Sequence, residues 1–324
     1  MSGNDGMPEG TETEGQVADA YTGNWVDSYA PAWTRPYLRL SRADRPIGTW
    51  LLLLPCWWGL ALAGTMDGFV LFDLWIAIGC GIGAFFMRGA GCTWNDITDR
   101  NYDGKVERTK SRPIPSGQVS VKQALVWMVL QMLIGGLVLV TFNVTTIILA
   151  ISSLVLVAIY PFAKRFTWWP QMFLGLAFNW GVLVAWTAHR GTLEAPAILL
   201  YIAGIIWTLF YDTIYAHQDK EDDAMIGVKS TARLFGENTA SWLRRFLILS
   251  VTIMALAVIG ALLPQGNILS LVIALGGPWA FGMHLMTQIR RLNINDPDAC
   301  LNLFRENRNT GVIPALFFAV SAML

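Results

Sequence analysis

The chain has 324 residues, 54% of them hydrophobic and only 14% charged, and its 23 basic and 23 acidic side chains cancel. Soluble domains carry about 25% charge, so this composition excludes an ordinary water-soluble globule and makes lipid the main solvent. The cancelled total says nothing by itself about nucleic acid, and no nucleic-acid partner is expected.

The N-terminus has no early apolar run. Before Arg35 it has no Lys or Arg, but it has Asp5, Glu9, Glu12, Glu14, Asp19 and Asp27. A mitochondrial presequence is Arg-rich and poor in acids, the opposite pattern. Residues 1–34 therefore read as a disordered acidic tail on a multi-pass protein of a bacterial inner membrane. Residues 35–324 form the membrane domain.

A membrane-spanning helix needs roughly 20 mostly apolar residues. About nine runs qualify in chain order: Ile47–Gly64, Leu71–Trp94, Ala124–Phe142, Thr146–Phe162, Met172–Ala188, Ile198–Ala216, Phe246–Leu263, Ile268–Ile289 and the shorter Val312–Leu324. The predicted fold class is all-α, a polytopic bundle. Lys and Arg fall almost entirely on alternate connections, and the other set holds only Arg190. That asymmetry puts the basic connections and the N-terminus on the cytoplasmic side. The connections after the second and sixth spans are the longest, and both lie on the basic side, where they are expected to form a cap. The four cysteines, Cys56, Cys80, Cys92 and Cys300, include no CxxC pair and read as small buried hydrophobes.

The second span runs into Asn95-Asp96-Ile97-Thr98-Asp99-Arg100-Asn101-Tyr102-Asp103. Asp96, Asp99 and Asp103 are spaced i, i+3, i+7 and share one helix face, with Asn95 flanking it. The sixth span runs into Asp212, Tyr215, Asp219 and Asp223, again on one face. Acids at a helix C-terminus are disfavoured by the dipole and repel one another, which a divalent cation would relieve. Solvated loop carboxylates explain acids in a loop but not two clusters of matched periodicity. Mg²⁺ prefers hard oxygen ligands and bridges carboxylates to substrate phosphates, so two clusters suit two Mg²⁺ ions and a diphosphate. The candidate metal ligands are Asn95, Asp96, Asp99, Asp103, Asp219 and Asp223. Of the neighbouring cations Lys105, Arg108, Lys110, Arg112 and Lys229, those nearest the acids suit phosphate oxygens, although positive-inside charge alone predicts basic loops here. Arg88 is a basic residue inside a span and a functional candidate on that ground. A structural pairing with Asp99 or Asp219 is its other reading.

NDxxDxxxD, followed by Arg112-Pro113-Ile114-Pro115-Ser116-Gly117 and by the loop Tyr211–Ala232, resembles the UbiA superfamily of intramembrane prenyltransferases. Tyr160-Pro161-Phe162 with Lys164-Arg165, and the second loop above all, are similar to its 4-hydroxybenzoate branch. The resemblance begins after residue 35 and reaches the last span. It implies nine helices around a central cavity, with polyprenyl diphosphate as donor, 4-hydroxybenzoate as acceptor and Mg²⁺ as cofactor. It also implies that Asp96, Asp99, Asp103, Tyr215, Asp219 and Asp223 act in the two metal–diphosphate sites. The acceptor's carboxylate requires a cation, for which Arg88, Arg100 and Arg165 are candidates. Rival readings are another acceptor for the same chemistry and a secondary transporter, whose acids would sit near the membrane midplane rather than at the basic ends of helices.

Overall fold

A computed structural model describes residues 23–104, 109–225 and 227–324. Among the described residues the chain is helical throughout, with no strands. A short hairpin comes first: α1 (Trp25–Tyr29) and α2 (Arg35–Leu40). Long helices follow as α3 (Ile47–Asp67), α4 (Leu71–Asp103), α5 (Val121–Leu139) and α6 (Val144–Ile159). A short α7 (Ala163–Phe166) leads to α8 (Pro170–Asn179) and α9 (Gly181–Arg190), which together make one span. The second half holds α10 (Ala195–Tyr215), the short α11 (Lys220–Met225) and α12 (Thr231–Phe235), then α13 (Thr239–Leu262), α14 (Ile268–Arg291) and α15 (Pro297–Ser321).

Eight helical segments are long and apolar enough to cross a bilayer among the described residues. The ninth expected span does not qualify. Its helix, α15, begins fifteen residues earlier than the apolar run did, and its first half carries Arg305, Glu306 and Arg308. The polar positions of α15 are absorbed by the bundle: Asn307 donates to Gln288 Oε1 at 3.0 Å and accepts from the Trp207 indole at 2.9 Å, and Gln288 donates to Thr310 at 2.9 Å. Such bonds replace the water that a membrane lacks.

The hairpin α1–α2 begins inside the stretch expected to be a disordered tail. Val26 is fully buried, Arg39 pairs with Asp27 at 2.7 Å, and the Trp25 indole donates to Ala43 O at 2.8 Å. These contacts order a segment whose acids, counted by composition, suggested solvent. Residues 1–22 lie outside the described residues.

Helix α3 is the central element, with α4, α9 and α15 packed around it. It approaches α9 closely because Gly181 meets Cys56, where an added Cβ would collide. Small residues let membrane helices touch backbone to backbone, and dispersion then does the holding. By contrast α5 and α6 are mostly exposed on apolar faces, including Leu133, Leu137, Ile151 and Val155.

The middle of the bundle is an aromatic column. Trp58 and Trp207 stand 4.9 Å apart, Trp207 and Tyr211 5.0 Å, Tyr211 and Phe304 5.8 Å, and Phe304 and Tyr215 4.4 Å. It climbs towards the basic end. On the sparse end, His189 bridges Asp73 (Nδ1, 2.6 Å) and Asp67 (Nε2, 2.7 Å), and Arg190 also pairs with Asp67 and with Glu194. The α3–α4 turn is thereby tied to the end of α9.

Candidate active site

Helix α4 has 33 residues, about 50 Å at 1.5 Å each, against a hydrocarbon core of roughly 30 Å. Its acidic last turns therefore extend towards the basic side. The i, i+3, i+7 spacing turns Asp96, Asp99 and Asp103 inward: the first two are fully buried and the third nearly so. Arg100, on another face, is exposed and donates to its own helix at Ile97 O (2.8 Å).

Each acid meets a cation. Asp96 takes both arms of Arg42, at 2.9 and 2.6 Å, and Arg112 at 3.4 Å. Asp99 takes Lys164 at 2.5 Å and Arg165 at 3.2 Å. Asp103 takes Arg112 at 2.9 Å. Arg165 also donates to Thr98 O and lies 5.1 and 5.0 Å from the Tyr102 and Phe162 ring centres.

Burial works against the Arg42 charge, and the Asp96 carboxylate overcomes it, holding Arg42 above its ordinary pKa. Beside it, burial pushes Asp44 up to about 6 despite the opposing charge of Arg42, and burial lowers Arg45 to about 10. Asp44 accepts from Arg45 Nε at 3.2 Å, while its other oxygen is buried without a hydrogen-bond partner among the described residues.

A cavity of about 240 Å³ opens between the ends of α4 and α10. Asn95 and Asp103 line it from one side, Asp212, Tyr215 and Asp223 from the other. Arg112, Lys164 and Lys229 share its wall with Tyr160 and Gln171. Gln171 accepts from Thr231 N at 3.3 Å, and Lys229 N donates to Lys164 O at 3.2 Å, so the two halves of the chain meet here. Lys110 is exposed outside the cavity wall. Lys105, Arg108 and the side chain of Asp219 lie outside the described residues.

Arg88 makes no pair with Asp99 among the described residues, and its other expected partner, the Asp219 side chain, lies outside them. It donates to Arg42 O at 3.3 Å and lies against Gly48, where a Cβ would collide with its guanidinium. Arg42, Asp44, Tyr160 and Gln171 were not picked out as site residues. In the sequence Arg42 is one of several basic residues before the first span; its left-handed backbone (φ 58°) and its partner 54 residues away leave no local mark there.

The donor set suits Mg²⁺ in kind, since an amide and three carboxylates, from the ends of α4 and α10 and from α11, face one cavity. No three acids, His or Cys among the described residues close into a metal cage. Mg²⁺ does not require one, because it keeps waters and takes one or two carboxylates together with substrate phosphates.

The comparisons with known proteins agree with this architecture. Residues 52–318 match the model of the UbiA prenyltransferase family. The chain belongs to the UbiA prenyltransferase family. It is 48% identical over 289 residues to a 4-hydroxybenzoate polyprenyltransferase, mitochondrial, of Bos taurus, covering 89% of this chain and 76% of that one. The protein of the same description from Homo sapiens is 47% identical over 289 residues, covering 89% and 75%. A UbiA homolog from Archaeoglobus fulgidus, solved bound to GPP and Mg²⁺, has the same fold at 19% identity, with a TM-score of 0.66 over 88% of this chain and 98% of that one. The relatives overturn one expectation, the bacterial inner membrane: they are described as mitochondrial and point to a mitochondrial membrane. Alternating Lys and Arg fix which side of a membrane a loop occupies, not which membrane it is.

Proposed function

We propose that this UbiA-family enzyme transfers a polyprenyl group from polyprenyl diphosphate to the ring carbon ortho to the hydroxyl of 4-hydroxybenzoate, releasing diphosphate and the proton which that carbon carried, in a reaction that requires Mg²⁺. The observation that carries the reading is the cavity between α4 and α10, where carboxylates from opposite sides and three cations line one space. The relatives' name supplies the acceptor and the polyprenyl donor, and the homolog bound to GPP and Mg²⁺ supports the metal–diphosphate pairing.

Asn95, Asp103, Asp212 and Asp223 would hold Mg²⁺ at the cavity, with Asp99 and Asp219 completing two sites. When bound, the metal offsets diphosphate charge and improves it as a leaving group. Arg112, Lys164 and Lys229 meet the remaining phosphate oxygens and stabilise the charge that grows on them as the C–O bond breaks. Lys164 holds Asp99 and lines the cavity, so its move to a phosphate frees one Asp99 oxygen, Oδ2, where a metal ligand is required, while Arg165 keeps the other. Asp96 stays with Arg42 and positions the helix end. Tyr215 offers a ring face to the allylic cation, and the apolar bundle below excludes the water that would quench it. Arg88, seated against Gly48, is the candidate for the acceptor's carboxylate. Arg100 faces away and Arg165 is occupied by Asp99.

The test is a transfer assay on membranes containing the full chain, with radiolabelled 4-hydroxybenzoate, several prenyl diphosphates, and Mg²⁺ either supplied or chelated. A labelled lipid product is expected only with Mg²⁺, and it should vanish in Asp103→Ala and Asp223→Ala. No product with any donor, alongside transfer to a phenol lacking the carboxylate, would discard 4-hydroxybenzoate as acceptor.

A further inference from the structure

A second cavity, of about 730 Å³, lies on the outside of the bundle, where the α1–α2 hairpin meets the start of α5. Trp25, Tyr37 and Leu38 form one wall, and Val126, Trp127 and Leu130 the other. Lys122, Gln123 and Thr34 also line it. The polarity is graded along α5. Lys122 and Gln123 sit in its first turn, on the basic side, while Leu130 lies about 12 Å deeper at 1.5 Å per residue. Below Leu130 the apolar surface continues without interruption through exposed Leu133 and Leu137. The groove is thus open to the lipid-facing side of α5 and has a cation at its other end.

The level of the groove is marked by two aromatics that stand out from the hairpin, Tyr29 at 85% and Trp33 at 77% exposure. Such side chains settle at the boundary between headgroups and acyl chains. Lys122 is exposed and makes no ion pair with a described residue. A basic side chain at that level attracts anionic lipid.

We propose that this groove is a binding site for one phospholipid with a net negative headgroup, an acyl chain lying between the hairpin and α5 and the phosphate meeting Lys122, and that its occupancy steadies Arg42. The second part follows from two hydrogen bonds. The Trp127 indole donates to Ser41 Oγ at 2.8 Å, and the Trp25 indole donates to Ala43 O at 2.8 Å. Two groove tryptophans thereby hold the residues on either side of Arg42, whose left-handed backbone is strained for a side chain of its size. Filling the groove packs both indoles in the positions that keep Arg42 on Asp96.

The experiment uses the full chain reconstituted in phosphatidylcholine bilayers, with trace photoreactive phosphatidylglycerol or photoreactive phosphatidylcholine, the crosslinks mapped by mass spectrometry. Labelling is expected on peptides covering 25–38 and 122–130, with phosphatidylglycerol favoured roughly fivefold. Lys122→Glu should bring it down to the phosphatidylcholine level, and Val126→Trp, which fills the groove, should remove both. Prenyl transfer should rise severalfold when unlabelled phosphatidylglycerol is added, and in Lys122→Glu it should stay at the level seen in phosphatidylcholine alone. Equal labelling by the two lipids, labels outside the groove, crosslinks to residues 1–22 or to a second chain, or displacement of the label by polyprenyl diphosphate would each overturn the site. Labelling with no lipid effect on transfer would overturn the link to Arg42.

Discussion

Arg42 grips Asp96 with both arms of its guanidinium, from a backbone conformation that few non-glycine residues adopt, and both partners are buried. The pair fastens the segment before α3 to the acidic end of α4.

Arg42→Ala leaves the Asp96 carboxylate with only the longer contact to Arg112. Breaking a buried pair from one side costs about 3–5 kcal/mol, which thermal unfolding in detergent should register as a large drop. Arg42→Lys should recover little, because a single ammonium cannot span both oxygens. Removing Asp96 as well should cost less than the two single losses added together, the signature of direct coupling.

Lys164 has two tasks on the proposed reading, restraining Asp99 and meeting phosphate. Lys164→Ala should raise the KM for prenyl diphosphate by about tenfold or more, the loss expected for one charge-assisted bond. The Mg²⁺ concentration for half-maximal rate should fall, since Asp99 loses a competitor. A rise in both would remove the first task.

Asp44 binds its proton more tightly in the native chain than in the unfolded one, its pKa lying at about 6 against an ordinary 3.8. Its contribution to stability is fully present below about pH 3.8 and is lost as pH rises through 6. The shift corresponds to about 3 kcal/mol at neutral pH. Asp44→Asn should therefore melt higher than the parent at about pH 8, and that advantage should shrink towards about pH 4.

Gly48→Ala places a methyl group against the Arg88 guanidinium and displaces it. If Arg88 receives the acceptor's carboxylate, the KM for 4-hydroxybenzoate should rise severalfold while that for the prenyl diphosphate holds. Initial rates with each substrate varied in turn would separate the two. Equal effects on both would count against Arg88 in that role.

Much of the bundle is legible because a bilayer imposes a fixed length on every apolar run. The acidic face of α4 is legible for a similar reason: i, i+3, i+7 has one geometric meaning on a helix. What defeats the same reading is anything decided by a distant partner. Arg42 and Arg45 look alike in sequence, and only the fold sets one against Asp96 and the other against Asp44. Helix α15 defeats it too, since Asn307 and Thr310 look too polar for a membrane until Gln288 and Trp207 are seen opposite them. The hairpin was hidden by its neighbours: averaged with a run of acids, Trp25 and Val26 lose their apolar signal.

The Asp67–His189–Asp73 clasp has a consequence at the far end of the molecule. It staples α3, α4 and α9 together where no substrate chemistry is placed, whereas the opposite end of α4 is tied to Arg42, Arg112 and α7 through ion pairs that can exchange partners. The bundle is thus anchored like a hand-fan at its rivet: one rim is held by a fixed clasp, and at the other Asp96 and Asp99 each have two cations within reach. On the proposed reading the charged guest arrives at that second rim, so the pairs it must displace are the ones that can be remade.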